Sequence, residues 1–282
     1  MSRNRIFCFF TALLCALSFA PRASAEPAEP ELASEAAILM DASTGQILYA
    51  KNAWERLYPA SITKVLTGLL ALENLKSTDT LTVSQTAVSQ VPRTSSHISL
   101  QPGETLTVAD AMYALAISSA NDAAVTLAEG VSGSVEAFST LMNEKARECG
   151  ALNSNFVNPS GLPSQQHYTT AYDMARITRW AMTVPGFEEY FCATEYTIPK
   201  TNKKDVARNI GTHHHMLVES AYYYPYAKGG KLGWTTEAQH TAVTWAEKDG
   251  LSLLCVVLDC SDKWGKYKDT IALFDYCFER YS

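Results

Sequence analysis

The amino-acid sequence predicts an α+β fold, an antiparallel sheet flanked by helices with an inserted α-helical lobe. Three observations predict it. Short apolar runs with strand character lie near both ends of the chain, the stretch between them repeats apolar residues at helical spacing, and an amphipathic helix follows the last strand. A chain of 282 residues, 47% hydrophobic and 18% charged, can bury a core without a disulfide scaffold and is not a disordered tract. Its net charge of −6 argues against broad electrostatic affinity for nucleic acid, which needs clustered Lys and Arg.

In chain order, residues 1–25 read as an export signal. Arg3 and Arg5 precede an apolar run over 6–20, too short for a membrane span, and Ala23-Ser24-Ala25 supplies the small residues a signal peptidase reads. Leu14 is too bulky for the position before a lipidated Cys15, which disfavours a lipoprotein. Removal of Arg3, Arg5 and Arg22 takes the net charge from −6 to −9. The expectation is therefore a signal peptide over 1–25 and one catalytic domain over 26–282, with no C-terminal β-domain and no basic amphipathic tail to act as a firm membrane anchor.

Residues 36–41 read as a strand, with Gly45 at the tight point of a hairpin into 46–50. Tyr58-Pro59-Ala60 breaks the chain, and 61–75 is helical. Thr107 opens an alanine-rich helix that runs toward Ser118, and further helices fit 131–149 and 170–182. Strands are expected at 196–198, 231–235, 240–247 and 251–258, with Lys248-Asp249-Gly250 as a hairpin turn. An amphipathic helix over 268–281 closes the chain, and early and late strands should share one sheet. Five cysteines follow the signal: Cys149, Cys192, Cys255, Cys260 and Cys277. They read mostly as buried apolar residues, with Cys255 and Cys260 the only local candidates for a pair.

Three groups of residues carry chemistry. Ser61 and Lys64, the only Ser-x-x-Lys in the chain, stand three apart at a helix entrance, on one face with Cβ atoms about 5–6 Å apart. A serine hydroxyl needs an adjacent base, and a lysine serves when burial or a nearby cation lowers its pKa. The alternative is an N-cap serine with a solvated lysine. Ser119-Ala120-Asn121 offers a second hydroxyl to relay a proton and an amide to hold the lysine or a substrate carbonyl; both residues also serve as plain helix caps. Lys231-Leu232-Gly233-Trp234-Thr235 sets a cation on a strand beside a glycine that permits close backbone approach.

In this order the three groups resemble those of the serine D-alanyl-D-alanine carboxypeptidases, the low-molecular-mass penicillin-binding proteins, whose fold is shared with β-lactamases. The resemblance also takes in residues 36–41, Asn52, Pro59 to Lys64, Asn121-Asp122-Ala123, Asn158 to Leu162 and His167 to Asp173. It implies Ser61 as acylated nucleophile, Lys64 as its base, Ser119 as proton shuttle, and Asn121, Lys231, Gly233, Trp234 and Thr235 as substrate-binding residues. It further implies an oxyanion hole from the N–H groups of Ser61 and Trp234, peptidoglycan stem peptides as substrate, and β-lactams as covalent inhibitors. No cofactor, metal or nucleic acid is expected. The chain departs from the family where Leu232 replaces a threonine, with Thr235 to compensate; where Lys266 replaces an arginine facing the substrate carboxylate; and where Thr212-His213-His214-His215 replaces an Asn-rich stretch.

A class A β-lactamase would need a Glu with an Asn four residues on, and no Glu here has one. A zinc site on His213, His214 and His215 is disfavoured because consecutive histidines do not converge on one ion, so they read as solvated. His167 reads as structural or cleft-lining. A DD-endopeptidase, or a relative that binds peptidoglycan or penicillin with little turnover, stays open as an alternative.

Overall fold

The computed structural model describes residues 28–281, so the expected export signal lies outside the described residues. β1 (Ala36–Asp41) and β2 (Ile47–Lys51) form the opening hairpin, and a 3-10 turn over Ala60–Thr63 runs directly into α1 (Lys64–Asn74). The helical middle comprises β3 (Thr80–Thr82), α2 (Gln85–Ser89), β4 (Thr105–Thr107), α3 (Val108–Ile117), α4 (Asn121–Ser132), α5 (Val135–Glu148), α6 (Ala171–Ala181) and α7 (Phe187–Phe191). A small hairpin, β5 (Glu195–Ile198) with β6 (Arg208–Gly211), leads to β7 (Ala227–Thr235), β8 (Gln239–Lys248), β9 (Leu251–Cys260) and the closing α8 (Gly265–Tyr281).

Five strands form one antiparallel sheet in the order β2-β1-β9-β8-β7. Early and late strands share it as expected: Ala36 pairs with Leu258, Ile38 with Val256 and Met40 with Leu254. Side chains alternate between two cores. Ile38, Met40, Val243, Trp245, Leu254 and Val256 face the large core that holds α1 and α6, while Ala37, Leu39, Leu253, Cys255 and Val257 face Tyr267, Phe274 and Phe278 of α8. Because both faces are covered, β1 and β9 carry unbroken apolar runs rather than an alternating pattern. Each large aliphatic side chain sealed this way contributes about 1.5–3 kcal/mol.

Two expectations are corrected. The helix expected over 131–149 begins only at Val135 as α5, and residues 131–132 belong to the end of α4: Gly133 ends α4 in the left-handed conformation at φ +81, and the Ser134 hydroxyl accepts the Ala137 N–H to start α5. Cys255 and Cys260 are not paired; all five described cysteines are free thiols, with only Cys192 less than fully buried. The pair share strand β9 five residues apart, and even with the register shift before Cys260 this spaces the Cα atoms roughly 15 Å apart, beyond the roughly 7 Å that a disulfide tolerates. Among the described residues no helix is long and apolar enough to cross a membrane.

What positions the site is the edge of the sheet. β7 is the terminal strand, so every second main-chain group on it lacks a partner in β8. That free edge packs against the 3-10 turn at the head of α1.

Candidate active site

Ser61 sits inside the 3-10 turn and Lys64 is the first residue of α1. The turn is held from both sides. On one, the Thr241 hydroxyl of β8 donates to the Pro59 carbonyl at 2.9 Å. Gly233 makes room for this crossing, since a Cβ there would lie 2.3 Å from Thr241 Oγ1 and 2.8 Å from the Ser61 nitrogen. The glycine thus admits the protein's own main chain, where the sequence suggested close approach of a substrate. On the other side stands Gly161, left-handed at φ +81, whose added Cβ would fall 1.8 Å from the Ala60 carbonyl oxygen. A Gly161→Ala variant is expected to lose about 3 kcal/mol of stability from clash and backbone strain together; a denaturant midpoint unchanged within error would refute this account of the turn.

The Lys64 ammonium stem is fully buried, which removes the solvated-lysine alternative. Nζ lies 2.7 Å from Asn121 Oδ1, 2.6 Å from the Ser160 carbonyl and 2.9 Å from Ser61 Oγ. Burial first, and then the positive charge of Lys231, hold its pKa well below the ordinary lysine value; Asp122 pulls weakly the other way. A neutral amine has two N–H bonds and one lone pair. The two obligate acceptors, Asn121 Oδ1 and Ser160 O, take the N–H bonds, and the lone pair is left facing the Ser61 hydroxyl. Asn121 is fixed in this orientation because its Nδ2 donates to Ser95 Oγ at 3.0 Å.

Ser119 lies in the short link between α3 and α4 at φ +57, and Ala60, next to Ser61, at φ +49. These left-handed non-glycine residues both flank the same hydroxyl-bearing site, where stored backbone strain is commonly found. The Ser119 hydroxyl accepts from Lys231 Nζ at 3.0 Å, and the same ammonium donates to the Leu232 carbonyl at 2.9 Å. Burial draws the Lys231 pKa down to about 7.

Two lobes of a cleft meet at Ser61. One, of about 170 Å3, has walls from Ser61, Ser119, Lys231, Leu232, Gly233 and Trp234, together with Thr212, His213 and His214. The other, of about 330 Å3, runs from Ser61 and Asn121 past Ser160 to Thr235 and Glu237. Trp234 is 58% exposed and stands between the two. All eight expected site residues therefore come together. Thr235 lines the second lobe, and its hydroxyl accepts the Ala238 N–H at 3.0 Å, which braces the β7–β8 turn and leaves the hydroxyl proton free to donate. Lys266 is not in either wall; its ammonium donates to the Lys263 carbonyl and lies 4.5 Å from the centre of the Tyr267 ring.

The three histidines are not uniformly solvated. His213 is exposed, but His214 is buried over β7, where Gly230 leaves it space, with Nε2 3.0 Å from Thr244 Oγ1. Burial and the nearby Lys231 push its pKa down to about 3, so the ring is neutral. His167 is structural: its Nδ1 accepts the Val157 N–H, so its Nε2–H donates to Thr63 Oγ1 at 2.9 Å. Sequence reasoning missed the Ser160 carbonyl, Ser95 and Thr241. It also missed the work of Asp122, whose carboxylate accepts the Ile98 and Leu100 N–H groups and ties that segment to the head of α4.

Comparison with known proteins agrees with this geometry. Residues 23–262 match the family model for D-alanyl-D-alanine carboxypeptidase. The chain is 37% identical to the D-alanyl-D-alanine carboxypeptidase DacF of Bacillus subtilis over 94% of its own length and 68% of that relative's, so it spans about two thirds of that protein. Among solved structures it resembles a D-alanyl-D-alanine carboxypeptidase from Mycobacterium tuberculosis, with TM-score 0.82, 27% identity and coverage of 91% of this chain and 95% of that one. It also resembles the Streptomyces K15 DD-transpeptidase, with TM-score 0.83, 25% identity and coverage of 90% and 100%.

Proposed function

The chain belongs to the D-alanyl-D-alanine carboxypeptidase family, and from that premise we propose that it is a serine DD-carboxypeptidase that releases the terminal D-alanine from peptidoglycan stem pentapeptides. The observation that carries this reading is the buried Lys64 amine, with two carbonyl acceptors on its N–H bonds and its third direction on Ser61 Oγ. In the forward step Ser61 Oγ attacks the carbonyl carbon of the penultimate D-alanine and its proton passes to Lys64. Main-chain N–H groups of Ser61 and Trp234 stabilise the oxyanion, and Lys231 receives the terminal carboxylate. The C–N bond breaks as Ser119 delivers a proton to the leaving amine, and water then hydrolyses the acyl-enzyme. A β-lactam enters the same step as a covalent inhibitor, because its carbonyl and carboxylate match the same groups.

The reading includes export: residues 1–25 serve as signal and the catalytic chain works on the wall side of the membrane. Asp and Glu outnumber Lys and Arg there, in keeping with a peptide substrate rather than a polyanion. Incubation of the purified protein with a pentapeptide ending in D-Ala-D-Ala, and separately with a D-Ala cross-linked dimer, tests it. Release of free D-alanine with the dimer left intact is expected. Cleavage of the dimer in preference would make the protein an endopeptidase, and penicillin labelling with turnover of neither would make it a binder.

A further inference from the structure

The two lobes of the cleft carry opposite charge. The smaller holds the Lys231 ammonium, which suits the carboxylate of the leaving D-alanine. The larger takes the acyl side of the peptide, and among the residues forming its walls Glu237 alone carries a charge. Glu237 is exposed, and no hydrogen bond or ion pair among the described residues engages its carboxylate. It also borders an adjoining hollow with Arg56 and Asp259, but Arg56 is laid over the Tyr168 ring, 5.0 Å from its centre. Distance is suitable as well. Gly233 packs on the Ser61 nitrogen and Glu237 is four residues further along, which limits the backbone separation to about 14 Å. A peptide whose penultimate carbonyl is at Ser61 places the preceding residue roughly one step of 3.4 Å into this lobe, and a long side chain on that residue spans the rest.

Resting on the carboxypeptidase reading above, the geometry points to Glu237 as a specificity residue: it selects acyl donors in which the residue before D-Ala-D-Ala carries a free side-chain ammonium. The contact lies at the cleft mouth and is partly screened, so it modulates rather than commands.

The test uses two peptides, Nα-acetyl-Lys-D-Ala-D-Ala and its Nα,Nε-diacetyl counterpart, which differ only in that charge. The purified protein is expected to favour the free amine in kcat/KM by about fivefold in low salt. The preference should shrink in 0.5 M NaCl, vanish in Glu237→Gln and reverse in Glu237→Lys. Labelling of the unmodified protein by benzylpenicillin, which has no such cation, reads the underlying reaction separately. Failure of that labelling together with failure to release D-alanine would remove the carboxypeptidase reading itself. D-alanine release with equal efficiency from both peptides, or a preference unmoved by Glu237→Gln, would overturn the Glu237 assignment and leave the reaction standing.

Discussion

A Ser61→Ala variant is expected to lose covalent labelling by a fluorescent penicillin completely while it remains folded. Of the groups around Lys64 Nζ, Asn121 Oδ1 and the Ser160 carbonyl are acceptors with no proton to give, so Ser61 Oγ is the only hydroxyl the amine can deprotonate. The Ser119 hydroxyl is engaged by Lys231, and among the described residues no hydrogen bond joins it to Lys64. Loss of the Ser61 hydroxyl removes one hydrogen bond at a half-buried position, worth about 1 kcal/mol, so the thermal midpoint should fall by only a few degrees. Labelling that persisted at full intensity would move the nucleophile to Ser119 and dissolve the roles derived for both lysines. A variant that failed to melt cooperatively would be replaced by Ser61→Cys, which keeps the volume and is expected to label far more slowly than the parent.

Much of this site was legible in the sequence because its chemistry depends on side chains with unusual spacing. Ser61 and Lys64 announce themselves three apart ahead of an apolar helix, and Lys231 opens a strand whose neighbours are plainly apolar. The strands of the sheet were legible for the same reason, since β1 and β9 are covered on both faces and read as continuous apolar runs. What escaped was carried by main-chain atoms or by packing. The Ser160 carbonyl is one of three partners of Lys64, yet any residue could supply it; its only trace is the neighbouring Gly161, which must be bare to let the Ala60 carbonyl pass. Gly233 was noticed for a substrate, but its packing on Thr241 Oγ1 and the Ser61 nitrogen was not, because sequence tells that space is needed and not which chain fills it. His214 looked solvated within a run of histidines, and only Gly230 and Thr244, far off in sequence, reveal the slot that buries it. Helix α4 was hidden because Asn121 starts it where the sequence suggested an end. The Ser132-Gly133-Ser134 break that bounds α4 carried a readable signal, a left-handed glycine followed by a capping serine.

Lys64→Met should slow acylation of Ser61 about 10³-fold, within the range general-base catalysis supplies, and should change the shape of the pH profile as well as its height. In the parent protein acylation needs the lone pair of Lys64. As pH falls through the depressed pKa of this amine it takes up a proton, the lone pair is lost and the rate falls, which gives an ascending limb well below the ordinary lysine range. Lys231 acts in the opposite sense: its charge attracts the carboxylate, and above about 7 the free protein loses that charge, which gives a descending limb in kcat/KM. A bound carboxylate stabilises the Lys231 ammonium, so the descending limb of kcat should lie at higher pH than that of kcat/KM. In Lys64→Met the ascending limb disappears and the descending limb stays, because only one of the two amines is gone. Methionine fills the same volume and deprives Asn121 Oδ1 and the Ser160 carbonyl of donors, but it also relieves the burial of an amine, so the fold should survive. Stopped-flow acylation by a chromogenic β-lactam from pH 5 to 9 measures both limbs. An ascending limb that remained in Lys64→Met would place the base elsewhere, and His214 and His167, both already neutral across that range, could not supply it.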